Sequence, residues 1–240
     1  MPTDYNRLAL PRVVEQTRAQ QAVSALAITI AAGLLGWNAL RLATTVSLVS
    51  VWIPLAFLSG VALADFLSGL VHWSADTWGR DDMPIVGERL LVPFRVHHVN
   101  PDDFLTRPFL DTNGDVAIIA VPLLLATVLI PLDYQWGVVL AAGSLGLCGV
   151  GTMTNQIHQW AHMPTPPRPV RWLQNCGLIL GHGAHASHHG HPYDGSYCIT
   201  TGWCNRILDR IQFFRGLERI ITTLTGVEPR QDDARYQNFA

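Results

Sequence analysis

Val61-Ala62-Leu63-Ala64-Asp65-Phe66-Leu67-Ser68-Gly69-Leu70-Val71-His72-Trp73-Ser74-Ala75-Asp76 is an apolar run broken by one aspartate and closed by a histidine and a second aspartate. Extended backwards, the apolar character begins near Val46. Val46 to Val71 is therefore long enough to cross a bilayer, which takes about 20 residues in a helix. A carboxylate inside such a run is costly in hydrocarbon and marks a functional candidate. Asp65, His72 and Asp76 are spaced by seven and four residues, so a helix running through them sets all three near one face.

Three more stretches share this character, approximately Ala22 to Leu42, Asp115 to Leu132 and Trp136 to Ile157. Pro54 and Pro122 fall inside two of the four spans, which lipid-embedded helices tolerate where neighbours satisfy the freed carbonyls. The joint at Pro131-Leu132-Asp133 is short, so the third and fourth spans should form an antiparallel hairpin. Composition agrees: 49% hydrophobic residues, 14% charged residues and a mean hydropathy of +0.21 are too apolar for an ordinary soluble domain. The expected fold is all-α, a polytopic membrane protein with four transmembrane helices and a histidine-rich, metal-binding cap built from residues 73–114 and 158–227. A segment 1–21 precedes this single domain and a polar tail, 228–240, follows it. The first apolar stretch lacks a small-residue cleavage site and is expected to be retained as a membrane helix.

All sixteen basic residues are arginine. Three precede the first span, four lie between the second and third, eight follow the fourth, one lies between the first and second, and none between the third and fourth. By the positive-inside rule this fifteen-to-one division puts both termini, the long loop and every histidine cluster in the cytoplasm. The short chain and all-arginine basic set suggest a bacterial inner membrane. With no basic stripe interleaved with aromatics, nucleic acid is not an expected partner. Cys148, Cys176, Cys198 and Cys204 have neither CxxC spacing nor the density of a disulfide scaffold and are read as reduced.

The ten histidines fall in four clusters: His72; His97 and His98; His158 and His162; and His182, His185, His188, His189 and His191. Imidazole is the commonest metal ligand among side chains. Eight to ten of them from four segments exceed what one ion takes and suit two first-row metals, with iron the natural candidate for oxygen chemistry. His158 and His162 share a face if the helix continues, although an HxxxH pair alone is weak. His97 and His98 point about 100° apart on a helix and can serve different ions, or none. His185, His188 and His189 form HxxHH, whose members can reach one side of a helical turn. His182 and His191 flank it among glycines and a proline, and read as extra ligands, groups behind the ligands, or surface residues. Asp76 stands with them as a possible extra ligand. Asp65 can orient a ligating imidazole through its other ring nitrogen, or it can be a structural partner for a buried polar group of another helix. Beyond Trp203, Ile207, Ile211, Phe214, Leu217 and Ile221 recur at helical spacing between arginines, as in a helix lying in the membrane interface or packed on the cap.

Other chemistries are missing. The chain has no HExxH, no GxSxG, no glycine-rich phosphate loop and no ferritin-like ExxH pair. It has no flavin or dinucleotide fingerprint either, so electrons for oxygen reduction must come from another protein. A membrane hydroxylase, a zinc-dependent membrane hydrolase and a metal transporter remain competing readings, the last disfavoured because the spans offer Asp65 but no histidine at mid-membrane.

Five segments, Gly69-Leu70-Val71-His72-Trp73-Ser74-Ala75-Asp76-Thr77-Trp78-Gly79, Pro93-Phe94-Arg95-Val96-His97-His98, Asp111-Thr112-Asn113-Gly114-Asp115, Thr154-Asn155-Gln156-Ile157-His158-Gln159-Trp160-Ala161-His162 and Cys198-Ile199-Thr200-Thr201-Gly202-Trp203, closely resemble the plasmanylethanolamine desaturase family, itself similar to membrane fatty-acid desaturases. The resemblance runs from about Ala64 to Asp233. It implies a di-iron site on His72, His97, His98, His158, His162, His185, His188 and His189. It further implies oxygen-dependent removal of two hydrogens from C1 and C2 of the sn-1 alkyl chain of an ether phospholipid, giving a plasmalogen vinyl ether. An external donor, cytochrome b5-like or ferredoxin-like, would supply electrons. A plant branch acts on acyl chains close to the carboxyl end, so a phospholipid acyl desaturase is the alternative. Ala184 stands where the animal pattern has a histidine.

Overall fold

The computed structural model describes residues 10–45, 51–190 and 194–230. Among these no β-strand occurs, and three helices are each long and apolar enough to cross a membrane: α1 (Arg18–Thr45), α2 (Trp52–Thr77) and α5 (Phe109–Val128). The number reaches four only if a bent pair, α6 (Gln135–Gly151) and α7 (Thr154–His162), which meet at 40°, is counted as one span. The predicted fourth span, Trp136 to Ile157, is therefore broken between Gly151 and Thr154. The short connection 129–134 joins α5 to α6, where the hairpin was expected.

The predicted span limits shift in ways that matter for the site. α2 continues six residues past Val71, so His72 and Asp76 stand on the same helix as Asp65. α5 starts at Phe109, not Asp115, which takes Asp111, Thr112 and Asn113 into the helix. Pro54 lies in the first turn of α2, where no intrahelical N–H is lost; Pro122 alone sits inside a helix, α5.

Two helix pairs form the membrane body, α1 on α5 and α2 on α6. Small residues bring both pairs close. Ala27, Ala31, Ala117, Ala120 and Leu124 fill the first interface, and Gly114 leaves no room for a Cβ beside Ser24. In the second, a Cβ on Gly60 would strike the Gly143 carbonyl and one on Gly146 the Phe57 carbonyl. This is how helices associate in lipid, where apolar side chains gain nothing from leaving water. Arg41 donates to the carbonyls of Thr127 (3.2 Å) and Ile130 (2.9 Å), satisfying acceptors released where α5 ends. Leu26, Ile30, Trp37, Leu58, Leu63, Ile119 and Leu125 remain exposed around the body.

The cap starts where α2 ends. A π-helical turn, Gly87–Leu91, runs into α3 (Val92–Val99); α4 (Pro101–Thr106) follows after Asn100. Buried Arg95 locks α3 to the end of α2, donating to the carbonyls of Ala75, Trp78 and Gly79 and pairing with Asp81. The N-terminal residues strap across α4: Val13 N donates to Asp103, and Arg107 donates to the Val13 carbonyl. After α7 come α8 (Arg168–Asn175), α9 (His182–Ala186), α10 (Asn205–Arg210) and α11 (Phe213–Thr225). Gln212, in left-handed conformation at φ 52°, divides the expected C-terminal amphipathic helix into α10 and α11. Its apolar residues also divide. Phe214 is buried with Trp73, Tyr197 and Leu208, flanked by Leu217 and Ile221, whereas Ile207 and Ile211 are exposed.

A histidine-lined metal centre

Four elements carry imidazoles to one place. α2 supplies His72, α3 supplies His97 and His98, α7 supplies His158 and His162, and α9 with the turn after it supplies His185, His188 and His189. They form two adjoining groups that can each hold a metal ion. The first is His97, His158, His162, His185 and His189; the second is His72, Asp76, His98 and His188. Within each, the candidate ligand atoms lie within 4.8 Å of one another.

In the first group Nε2 of His185 is 2.9 Å from that of His158, 2.8 Å from that of His162 and 3.0 Å from that of His189; His158 and His162 are 3.3 Å apart. In the second, Asp76 Oδ2 is 3.3 Å from Nε2 of both His72 and His98 and 3.4 Å from that of His188. The His98 and His188 Nε2 atoms are 3.2 Å apart. Neighbouring donors around a first-row cation, with metal–nitrogen bonds of about 2.1 Å, are about 3.0 to 3.4 Å apart.

Hydrogen bonding cannot account for this packing. A neutral imidazole carries one N–H, and His72 and His188 commit theirs at Nδ1, to the carbonyls of Tyr197 (3.1 Å) and Gly195 (2.9 Å). Their Nε2 lone pairs then face a carboxylate and other imidazoles. His158, His162 and His185 put three Nε2 atoms in mutual contact, which three N–H groups cannot satisfy pairwise. His97 Nε2 and Asp76 Oδ1 are buried without a hydrogen-bond partner. A cation at each focus removes every one of these conflicts, so the donor sets fit metal ions.

The surroundings keep the rings of His97, His185 and His189 neutral. Burial first, then neighbouring imidazoles, hold His97 and His185 well below the ordinary histidine range, and His189 is lowered for the same reasons. Neutral imidazole is the ligating form. Phe94 and Phe104 pack on the His72 and His158 rings at 4.9 and 5.0 Å, and Tyr197 lies 5.0 Å from His188. His98 and Asp76 form the partly exposed edge.

Several sequence expectations sort themselves here. His97 and His98 fall in different groups, as their divergence on a helix suggested. His185, His188 and His189 do not share one helical face: α9 stops at Ala186, and the turn sends His188 to the second group while the other two join the first. Asp76 stands among the possible ligands. His182, the first residue of α9, lies outside both groups, with Nδ1 donating to the Ala161 carbonyl at 2.8 Å; His191 lies outside the described residues. Ala184 is exposed and is in neither group.

Asp65 makes no hydrogen bond to an imidazole. Fully buried, it accepts from Thr200 Oγ1 (2.7 Å) and from the backbone N–H groups of Thr201 (2.8 Å), Gly202 (2.8 Å) and Cys204 (2.9 Å). Ser68 Oγ accepts from Ile199 N at 3.0 Å. The chain from Tyr197 to Cys204 is thereby pinned along α2, with the Tyr197 carbonyl held over His72. The roles of Tyr197 and Gly195 were missed because they act through backbone carbonyls, which leave no trace in residue type. Phe94 and Phe104 carry no signal in the sequence that sets them apart from other apolar residues.

The chain is 44% identical to a plasmanylethanolamine desaturase of Myxococcus xanthus over 76% of its own length and 65% of that protein's. It is 41% identical to the mouse plasmanylethanolamine desaturase 1, over 76% of this chain and 69% of the mouse protein. The chloroplastic fatty acid desaturase 4 of Arabidopsis thaliana is 32% identical, over 73% of this chain and 54% of that one. No solved structure matches. Residues 61–232, which contain all eight clustered histidines and Asp76, match the lipid desaturase domain model, and the chain belongs to that family.

Proposed function

We propose that this protein is an oxygen-dependent lipid desaturase with two iron ions, one held by His97, His158, His162, His185 and His189 and the other by His72, Asp76, His98 and His188. The observation that carries the reading is the pair of adjoining imidazole foci at one end of the apolar helices. Bound iron would supply what the side chains lack, activation of dioxygen and abstraction of hydrogen. Removing two hydrogens from a lipid releases two electrons, whereas reducing dioxygen to two waters takes four. The other two electrons come from a separate donor, cytochrome b5-like or ferredoxin-like. Phe94, Phe104 and Tyr197 shield the foci from bulk water, which protects a reactive oxidant from side reactions.

The substrate proposed is plasmanylethanolamine, converted to the vinyl ether by loss of hydrogen from C1 and C2 of the sn-1 alkyl chain. The names of the bacterial and mouse relatives support this, and so does depth. His72 closes the apolar run of α2, so the metal ligands sit near headgroup level, where carbons next to glycerol lie, and no deep tunnel is needed. The arginine distribution favours a cytoplasmic site in a bacterial inner membrane. The plant relative's name supports a second reading, desaturation of an acyl chain.

The test is to express the chain in cells that contain alkyl-ether phospholipids but lack this activity, and to quantify acid-labile aldehyde and the lipid lighter by two hydrogens. A vinyl ether that disappears with His188→Ala is expected. An acyl lipid that loses two hydrogens favours the second reading, and a hydroxylated lipid overturns desaturation altogether.

A further inference from the structure

The segment from Tyr197 to Cys204 descends along α2. The Tyr197 carbonyl meets His72, Ile199 N meets Ser68, the next residues meet Asp65, and Cys204 Sγ reaches the Ala62 carbonyl at 3.5 Å. Ten residues of helix separate His72 from Ala62, about 15 Å at 1.5 Å per residue. α11 then climbs back, through Glu218 on Trp73 Nε1 (3.0 Å) to Arg230 on the Asp76 and Thr77 carbonyls. Trp203 is thus the lowest point of a hairpin lying beside the apolar part of α2, and α10 turns back up from it, with Asn205 bonded to Cys198 and Asp209 to Ser196. Trp203 Nε1 donates to the Gly177 carbonyl (2.7 Å) and Leu180 N to the Thr200 carbonyl (2.8 Å), so the turn after α8 lies at the same level.

From this level up to the end of α10 runs an exposed surface of defined composition. Trp172, Leu178, Trp203, Ile207 and Ile211 are each between 39% and 65% exposed. Arg168, Arg171, Arg206 and Arg210 are exposed between them. The sequence has no acid between Asp133 and Asp194, and Asp209, beside Arg210, is engaged by Ser196 N and Oγ. On α2, beside which this hairpin lies, Leu58, Leu63 and Leu67 are exposed as well. Tryptophan and isoleucine with interleaved arginine is the composition of surfaces that lie in the interface plane, where cationic side chains meet anionic headgroups.

We propose that Trp172, Leu178, Trp203, Ile207 and Ile211, with the four arginines, form a platform that seats in the acyl–headgroup boundary of the leaflet nearest the metal site and binds anionic phospholipid headgroups. It sets how far the metal foci stand above the hydrocarbon. The inference rests on the spans being membrane-embedded, and not on iron or on the identity of the substrate.

The test places a nitroxide on Ile211→Cys or Trp172→Cys in the full chain with Cys176→Ser, reconstituted in nanodiscs of phosphatidylcholine with or without phosphatidylglycerol. Collision with oxygen and with a water-soluble nickel chelate reports depth. Ile119→Cys, on the body of α5, is the lipid reference and Ile85→Cys, on the cap, the water reference. Expected is an oxygen-to-chelate ratio at 211 and 172 several-fold above that at 85, deeper with phosphatidylglycerol. Arg168→Glu, Arg171→Glu, Arg206→Glu and Arg210→Glu together should abolish the phosphatidylglycerol effect alone. Values at 211 and 172 equal to that at 85, with 119 in lipid, overturn the platform while leaving the spans standing. The same depth in both lipid compositions overturns the headgroup assignment.

Discussion

His72 Nδ1 donates to the Tyr197 carbonyl at 3.1 Å, across 125 residues of sequence. That one bond fixes the tautomer: the proton is on Nδ1 and the Nε2 lone pair points at Asp76, within the second candidate ligand group. Its geometry depends on a carboxylate two helical turns away, because Asp65 holds the chain that carries the Tyr197 carbonyl. A buried acid that touches no imidazole therefore governs one.

Asp65→Ala leaves three backbone N–H groups and a hydroxyl without their buried acceptor. At roughly 1–3 kcal/mol for each of these four donors, destabilisation of at least about 4 kcal/mol is expected. Metal content should fall with it. Thermal unfolding in detergent and metal per chain are the measurements, and an Asp65→Ala protein with unchanged stability and full metal refutes this role.

Asp76→Ala and His182→Ala separate ligand from neighbour. The first removes the only carboxylate of the second group and should lower metal content from two ions per chain to about one, with activity lost. The second breaks only the bond to the Ala161 carbonyl, and should leave both ions and the turnover within about twofold of the parent, a surface-level effect. Elemental analysis beside a lipid assay distinguishes them; equal effects from both would contradict the grouping.

Removal of metal by a chelator should abolish activity. Ferrous iron should restore it and zinc should not, because zinc cannot change oxidation state. Recovery with zinc would identify hydrolytic chemistry instead, and activity without any metal would dismiss both.

Gly60, at the α2–α6 contact, should be irreplaceable, whereas Gly149 of α6 should not. A methyl on Gly60 meets the Gly143 carbonyl, so Gly60→Ala should destabilise by about 1–3 kcal/mol. Gly149 has open space at its Cβ position, and Gly149→Ala should be neutral or slightly stabilising, since alanine is the better helix former. Melting temperatures of the two variants in one detergent decide it.

The membrane helices and the histidine ligand candidates were legible because they rest on period and composition: long apolar runs, an i, i+4 pair on α7, and adjacent His97 and His98 that must diverge on α3. What escaped depends on tertiary contact. Nothing in Gly151-Thr152-Met153 announces the 40° break that aims His158 and His162 at the cap. HxxHH reads as one helical face, yet Gly190 and the end of α9 at Ala186 make it a turn that serves two foci. Asp65 was noticed for the right reason, its burial, but the four donors it satisfies lie 135 to 139 residues away. The C-terminal periodicity was real and incomplete, since the left-handed Gln212 divides it into a face packed on Trp73 and a face left open.

On the proposed reading two metal ions occupy two different donor sets, five imidazoles in one and three imidazoles with a carboxylate in the other. Mössbauer spectroscopy of protein produced with isotopically enriched iron, combined with iron counting, addresses it directly. Two irons per chain in two resolved environments, one of them lost in His188→Ala, is the predicted result. A single iron environment, or an active protein free of iron, would contradict it.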